Sequence, residues 1–258
     1  MTARSDEDVR PQKGRSVAER TLRILGTFRE GRVRQTLSEL SRRSGVPLTT
    51  THRIVGELVT WGALEQDVGG RYRIGLRLWE VASLAPRSMG LQSLARPFLS
   101  DLYELTKYSV HLAVLEGTEA VFVDRFQSPH QTHLRPRVGG RYPLHATAVG
   151  LVLLAHSSSE FQDDVLEGDL TRYTEYSFRS SDEVRPVLAD IRVRGYAISD
   201  RQVNPEYVAV AAPVLAPNGS TAAALSVVLS PHEADDRNLI HLVRVTAAGI
   251  SRALRSRG

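Results

Sequence analysis

The sequence predicts an α+β protein: an N-terminal winged helix-turn-helix, a linker helix and a C-terminal mixed α/β domain. Three observations carry that reading. Residues 36–60 hold two helix signals across a glycine-containing turn. Residues 64–74 alternate around Asp67-Val68-Gly69-Gly70, the pattern of a hairpin. Beyond residue 91 the hydrophobic period switches repeatedly between 2 and 3.6.

The bulk properties permit this and exclude much else. A chain of 258 residues is long enough for two domains with a substantial core. Its 41% hydrophobic and 24% charged residues are ordinary for a globular protein. With no cysteine there are no disulfides, thiolate nucleophiles or cysteine-based zinc sites. Residues 1–15 are polar, without the apolar segment of a secretory signal, and are expected to form a flexible tail. No apolar run approaches the roughly 20 residues of a spanning helix, so no membrane partner is expected and the cytoplasm is the expected location. The net charge of +4 is uneven: residues 1–77 carry 15 Lys and Arg against 9 Asp and Glu, the remainder 18 against 20. The basic part is the part with the helix-turn-helix pattern, as a polyanionic partner requires.

Taken in order, a first helix is expected over residues 17–29, with Ala18, Leu22 and Leu25 on one side. Thr36 stands three residues before Glu39, a capping box, and Gly45 supplies the stop. Pro47 suits the opening of the next helix, where a missing N–H costs nothing. Over residues 49–60 a helical winding puts Thr51, Ile54, Val55 and Leu58 on a packing face. Thr49, Arg53, Gly56 and Thr60 fall opposite, flanked by Thr50, His52 and Glu57. Arginine matches guanine O6 and N7, threonine reaches phosphate or a thymine methyl, and first-turn N–H groups favour phosphate. Thr49, Thr50, His52 and Arg53 are therefore candidate DNA contacts. Strands at 64–66 and 71–74 put Tyr72 and Ile74 on one face and Arg71 and Arg73 on the other, adding two wing contacts. A generic helical hairpin would lack this basic wing.

The linker helix is expected from residue 76 to about 84, breaking near Pro86, with an apolar side suited to a partner subunit. Helices are then expected at 92–103, 145–155, 161–166, 182–194 and 233–254. Strands are expected at 109–115, 120–126, 132–138, 196–199, 207–214 and 222–229. A helix opened by Pro143-Leu144-His145 would leave the N–H groups of Ala146, Thr147 and Ala148 to attract a carboxylate, reinforced by Arg135, Arg137 and Arg141.

Read as a whole, residues 16–255 resemble the IclR family of bacterial transcriptional regulators. The resemblance is carried by VAERTLRIL, LSELSRRSGVP, THRIVGELVTWGALEQD and GRYRIGLRLWEVA, then by GGRYPLHATAVGLVLLA, RGYAISD and VAVAAPVLAPNGSTAAALSVVLSP, in that order. It implies a tail at 1–15, a winged helix at 16–75, a linker helix at 76–90 and a GAF-like effector-binding domain at 91–258. It further implies a homodimer or homotetramer on a palindromic double-stranded operator, repressing or activating in response to a small-molecule effector, an organic acid. By the same resemblance the effector pocket is lined by Leu134, Ala148, Val149, Ser199, Asp200, Tyr207, Ala209, Ser226 and Val228. The chain departs from the family pattern at Leu48, where a basic residue is common. It departs also at Leu151, at Arg201 and Gln202, at Glu206 and at Ala209. These changes point to an altered pocket, for a more apolar or aromatic acid.

Two other functions compete. The C-terminal domain could serve only to oligomerise a DNA-binding protein. Alternatively it could be an enzyme acting on a small acid, with His111, His133 or His145 beside Asp124. No G-x-S-x-G elbow, phosphate-binding glycine loop or H-E-x-x-H pattern supports catalysis. His130 and His133 lack a third ligand at familiar spacing, so neither metal nor cofactor is expected.

Overall fold

The computed structural model describes residues 16–29, 31–84, 86–131, 137–233 and 237–256. The chain divides into two compact units, Met1–Ala85 and Pro86–Gly258.

In the first unit Ser16 caps α1 (Val17–Leu25) by accepting from the Glu19 N–H at 3.1 Å. The helix stops four residues short of the expected end. Thr27 donates its hydroxyl to the Ile24 carbonyl at 2.7 Å and is itself bonded by Gln35, a side-chain alternative to further helix. The Thr36–Glu39 capping box opens α2 (Leu37–Ser44), and Gly45 at φ 65° closes it. Next, α3 (Leu48–Trp61) begins after Pro47 and ends at Gly62, φ 89°. Ile24, Leu40, Val46, Ile54, Val55 and Leu64 form the core that fixes the three helices. The wing is β1 (Leu64–Gln66) paired antiparallel with β2 (Tyr72–Ile74), and Gln35 bridges to Tyr72 on its other side. A short helix follows, α4 (Leu76–Ala82), with Leu76, Trp79 and Val81 all exposed.

The second unit has three layers. A helix longer than the sequence suggested, α5 (Pro86–Thr106), leads into β3 (Ser109–Glu116), β4 (Glu119–Phe126) and β5 (Arg141–Pro143). Then come α6 (Ala148–Ala155), α7 (Ser159–Leu166) and α8 (Ser181–Arg194). The chain closes with β6 (Ala197–Asp200), β7 (Val208–Leu215), β8 (Thr221–Leu229) and α9 (Arg237–Arg255). The strands make one antiparallel sheet in the order β5-β4-β3-β8-β7-β6, two meanders joined where β3 meets β8. Strand alternation separates its faces. Leu112, Val210, Leu225 and Val227 pack with α5 and α9, while Ala113, Ala211 and Ala224 face α6 and α8. No helix among the described residues is long and apolar enough to cross a membrane.

One expectation lies mostly outside the described residues and another requires correction. The strand expected at 132–138 falls largely on residues outside the described ones, and the observed edge strand is β5, created by pairing of Arg141–Pro143 with Val121, Ala120 and Glu119. The helix expected from residue 145 starts at Ala148. Thr147 is its cap, accepting from the Gly150 N–H at 3.1 Å, so Ala146 and Thr147 lie before the helix.

Candidate functional site

The DNA-reading face is built by burying the other side of α3. Thr51 is fully buried, donating its hydroxyl toward the Val46 and Pro47 carbonyls at 3.1 Å each. Ile54 and Val55 enter the core beside it. Thr49, His52, Arg53, Gly56 and Thr60 are consequently exposed and Thr50 partly so, with Leu48 exposed at the helix start. The wing turn is set by Asp67, whose Oδ1 accepts from the Gly69 and Arg71 N–H groups at 2.9 and 3.0 Å. The Arg71 N–H is the main cause holding its carboxyl below the usual range.

All three candidate arginines have acidic partners, which the sequence reading did not foresee. Arg53 reaches Glu57 one turn on at 2.6 Å, Arg73 its cross-strand neighbour Glu65 at 2.7 Å, and Arg71 lies 3.9 Å from Glu39. The hydrogen bond from Arg73 is also what chiefly lowers the pKa of Glu65. Exposed pairs of this kind contribute little to stability and yield to a polyanion. They preset the arginine rotamers without locking them.

The second site is a cavity of about 330 Å³ between the sheet and the start of α6. Register brings its floor together: Ser199, Ala209 and Val228 form one row across β6, β7 and β8. Ala211, Ser226 and His111 form the next row. Ala148, Val149, Tyr207, Ala209, Ser199, Ser226 and Val228 all line the cavity. So do Phe122, Tyr142, Thr147, Val203 and Asn204, which the sequence reading missed. Leu134 lies outside the described residues. Asp200 does not line the cavity, a correction with a simple cause. Alternation on β6 turns Ser199 inward, where its hydroxyl donates to the Ala146 carbonyl at 2.8 Å, and Asp200 outward. There both Asp200 oxygens accept from Arg201, at 2.7 and 2.9 Å, which lowers the Asp200 pKa.

The cavity wall is aromatic and neutral. His111 stacks on Phe122 at 4.9 Å between centroids, and Phe122 on Tyr142 at 4.6 Å. Burial, then the nearby Glu206, raises the Tyr207 phenol above its ordinary pKa, so it stays protonated. The N–H groups of Ala148 and Val149 head α6, with no carbonyl a turn earlier in the helix to receive them. Among the described residues no arginine or lysine lines the space. Arg141 pairs instead with Glu119 at 3.2 Å, and Arg137 is exposed. An anion here would be met by helix-terminal N–H groups and hydroxyls.

Among the described residues the enzymatic alternative has no dyad to rest on. Asp124 is taken by Arg96 of α5 at 2.8 and 3.0 Å, whereas His111 lines the cavity on the α6 side. His145 hydrogen-bonds the Thr171 carbonyl at 3.1 Å, and His133 lies outside the described residues.

A winged helix-turn-helix carried in one chain with a small-molecule-sized cavity defines a DNA-binding transcriptional regulator. The chain belongs to the IclR family of bacterial transcriptional regulators. The family model described as the C-terminal domain of bacterial transcriptional regulator IclR matches residues 84–252, and that of the IclR helix-turn-helix domain residues 17–68. Curated relatives include the HTH-type transcriptional regulator XynR of Escherichia coli K12, 29% identical over 92% of this chain and 96% of that one. The transcriptional repressor IclR of the same organism is 31% identical over 71% of this chain and 68% of its own. Among solved structures, an IclR homolog from Microbacterium hydrocarbonoxydans complexed with 4-hydroxybenzoate is 32% identical. It superposes with a TM-score of 0.89, covering 93% of this chain and all of that one. These relatives are regulators of transcription, not enzymes.

Proposed function

We propose that the protein is a ligand-responsive regulator that binds a palindromic operator as a homo-oligomer and is controlled by a small aromatic carboxylic acid. The observation that carries this is the cavity: a flat aromatic wall of Phe122 and Tyr142 faces the open N-terminus of α6. A ring stacks on the first and a carboxylate accepts from the second. A purely oligomerising domain has no use for such a space. The relative crystallised with 4-hydroxybenzoate makes that acid the natural first probe. At 100 times its dissociation constant a ligand stabilises the folded state by about 2.7 kcal/mol. A thermal-shift titration with 4-hydroxybenzoate and benzoate should therefore raise the unfolding temperature, and the same acid should change operator affinity. No shift with any small aromatic acid would return the C-terminal unit to a structural role.

On the DNA side, Thr49, Thr50, His52 and Arg53 of α3 read the major groove and Arg71 and Arg73 hold the flanking backbone. The exposed apolar side of α4 meets a second subunit, as a palindrome requires. Arg53→Ala should weaken binding to an operator selected from a random duplex pool by about 1–3 kcal/mol. Fluorescence anisotropy at fixed salt measures this, and unchanged affinity would remove Arg53 from the reading face.

A further inference from the structure

Among the described cavity residues, His111 has a chemistry that neither the packing nor the carboxylate reading explains. It is the third residue of β3, 2% exposed, between Arg125 of β4 and Ser226 of β8 in the register. Among the described residues its Nε2 has no hydrogen-bond partner and is buried, while the residue lines the cavity. An unpaired buried polar atom of this kind costs about 1–3 kcal/mol, so a position kept for packing alone is better filled by an apolar side chain. Phenylalanine would preserve the stacking on Phe122. What histidine adds is a polar ring in a residue that lines the ligand space.

We propose that His111 is the specificity-determining residue of the cavity, recognising a hydroxyl on the effector's ring through its imidazole. The inference rests on the ligand-responsive reading above and deepens it. The imidazole is neutral, because burial and then the Arg125 charge push its pKa down to about 3. A neutral imidazole nitrogen is a single donor or a single acceptor, and a phenolic hydroxyl satisfies either. A carboxylate suits it less well, since the start of α6 offers the anion two N–H groups and the helix dipole. The effector class is accordingly a hydroxylated aromatic acid, bound with its ring along Phe122 and its two polar ends at α6 and His111. A site built to pair a hydroxyl penalises the analogue lacking it, because its own polar atom is then left buried and unpaired.

The test is calorimetric binding of benzoate and the three monohydroxybenzoates to the full-length protein and to His111→Phe and His111→Gln. In the parent, at least one hydroxybenzoate should bind about 10- to 100-fold more tightly than benzoate. In His111→Phe that preference should collapse to within about threefold, chiefly by loss of hydroxybenzoate affinity, with benzoate binding retained or improved. His111→Gln, which keeps a polar terminus, should restore part of it. Unfolding curves establish that each variant is folded, and either variant alone suffices for the comparison. Equal binding of all four acids to the parent overturns this inference and leaves the ligand-responsive reading standing. A hydroxyl preference undiminished from the parent's in a folded His111→Phe or His111→Gln also overturns it. No binding by any of the four overturns both.

Discussion

Gly150→Ala should destabilise the C-terminal unit by about 3 kcal/mol and abolish its response to ligand. A Cβ at this position would stand 2.5 Å from both the Cα and the carbonyl oxygen of Leu144, and 2.6 Å from the Thr147 hydroxyl. Two of those three atoms are backbone, so no rotamer change relieves the clash. The turn at residues 144–147 and the first turn of α6 must separate. Leu144 and all eight residues of α6 are buried, so separation opens the core of this face of the sheet. It also displaces the Thr147 cap and the N–H groups of Ala148 and Val149. The readout is convenient. Both tryptophans, Trp61 and Trp79, lie in the first unit, whereas seven of the eight tyrosines lie in the second. Tyrosine near-ultraviolet dichroism should show an earlier transition while tryptophan fluorescence is unchanged. An unaltered tyrosine transition would mean that α6 can move without cost.

The two units differ in how far the sequence discloses them. The helix-turn-helix is legible because its signals are local: Thr36 and Glu39 make the capping box, Gly45 takes the left-handed stop, and Asp67 folds the wing turn. Each depends on neighbours within four residues. The C-terminal unit depends on pairing between distant strands. The three-residue β5 exists only through β4, and nothing in Arg141-Tyr142-Pro143 announces a strand. Likewise α6 is buried on every side, so no hydrophobic period marks where it begins. Thr147, a side-chain cap, decides that instead.

The same distinction governs the sites. The polar face of α3 followed from helical winding, but the partners of Arg53 and of the wing arginines did not. Glu57 one turn on was visible as a neighbour, whereas Glu65 opposite Arg73 required the hairpin register. Seven of the cavity positions implied by resemblance converge on one space, yet strand alternation excludes Asp200. Phe122, Tyr142 and His111 come together only through the irregular register of β3 with β4, shifted between Leu112 and Ala113. That bulge sets Asp124 opposite Leu112, toward Arg96, while Phe122 pairs with Ala113 on the α6 side. Without it the aromatic wall would have the wrong face.

Acid should destabilise the ligand-free C-terminal unit well above the range where carboxylates titrate, and His111 should be the reason. In the unfolded chain its imidazole gains a proton below the ordinary value of 6.5, but in the folded chain only near about 3, because of burial first and the Arg125 charge second. Between those values the unfolded state binds more protons, so stability falls as pH falls. No such difference exists above pH 6.5, where both states are neutral. By pH 5 the loss amounts to about 2 kcal/mol, and it grows by about 1.4 kcal/mol for each further unit until the folded form also titrates. Asp200 contributes with the same sign but later, since the Arg201 hydrogen bond holds its pKa below the ordinary 3.8. Urea unfolding followed by tyrosine dichroism at pH 7, 6 and 5 measures the trend. In His111→Phe the slope between pH 6.5 and 5 should flatten by the same about 2 kcal/mol, the phenyl ring having no proton to gain. An equal slope in both proteins would mean that the imidazole takes up its proton in the fold over the same range as in the unfolded chain, so that the cavity wall carries a charge by pH 5.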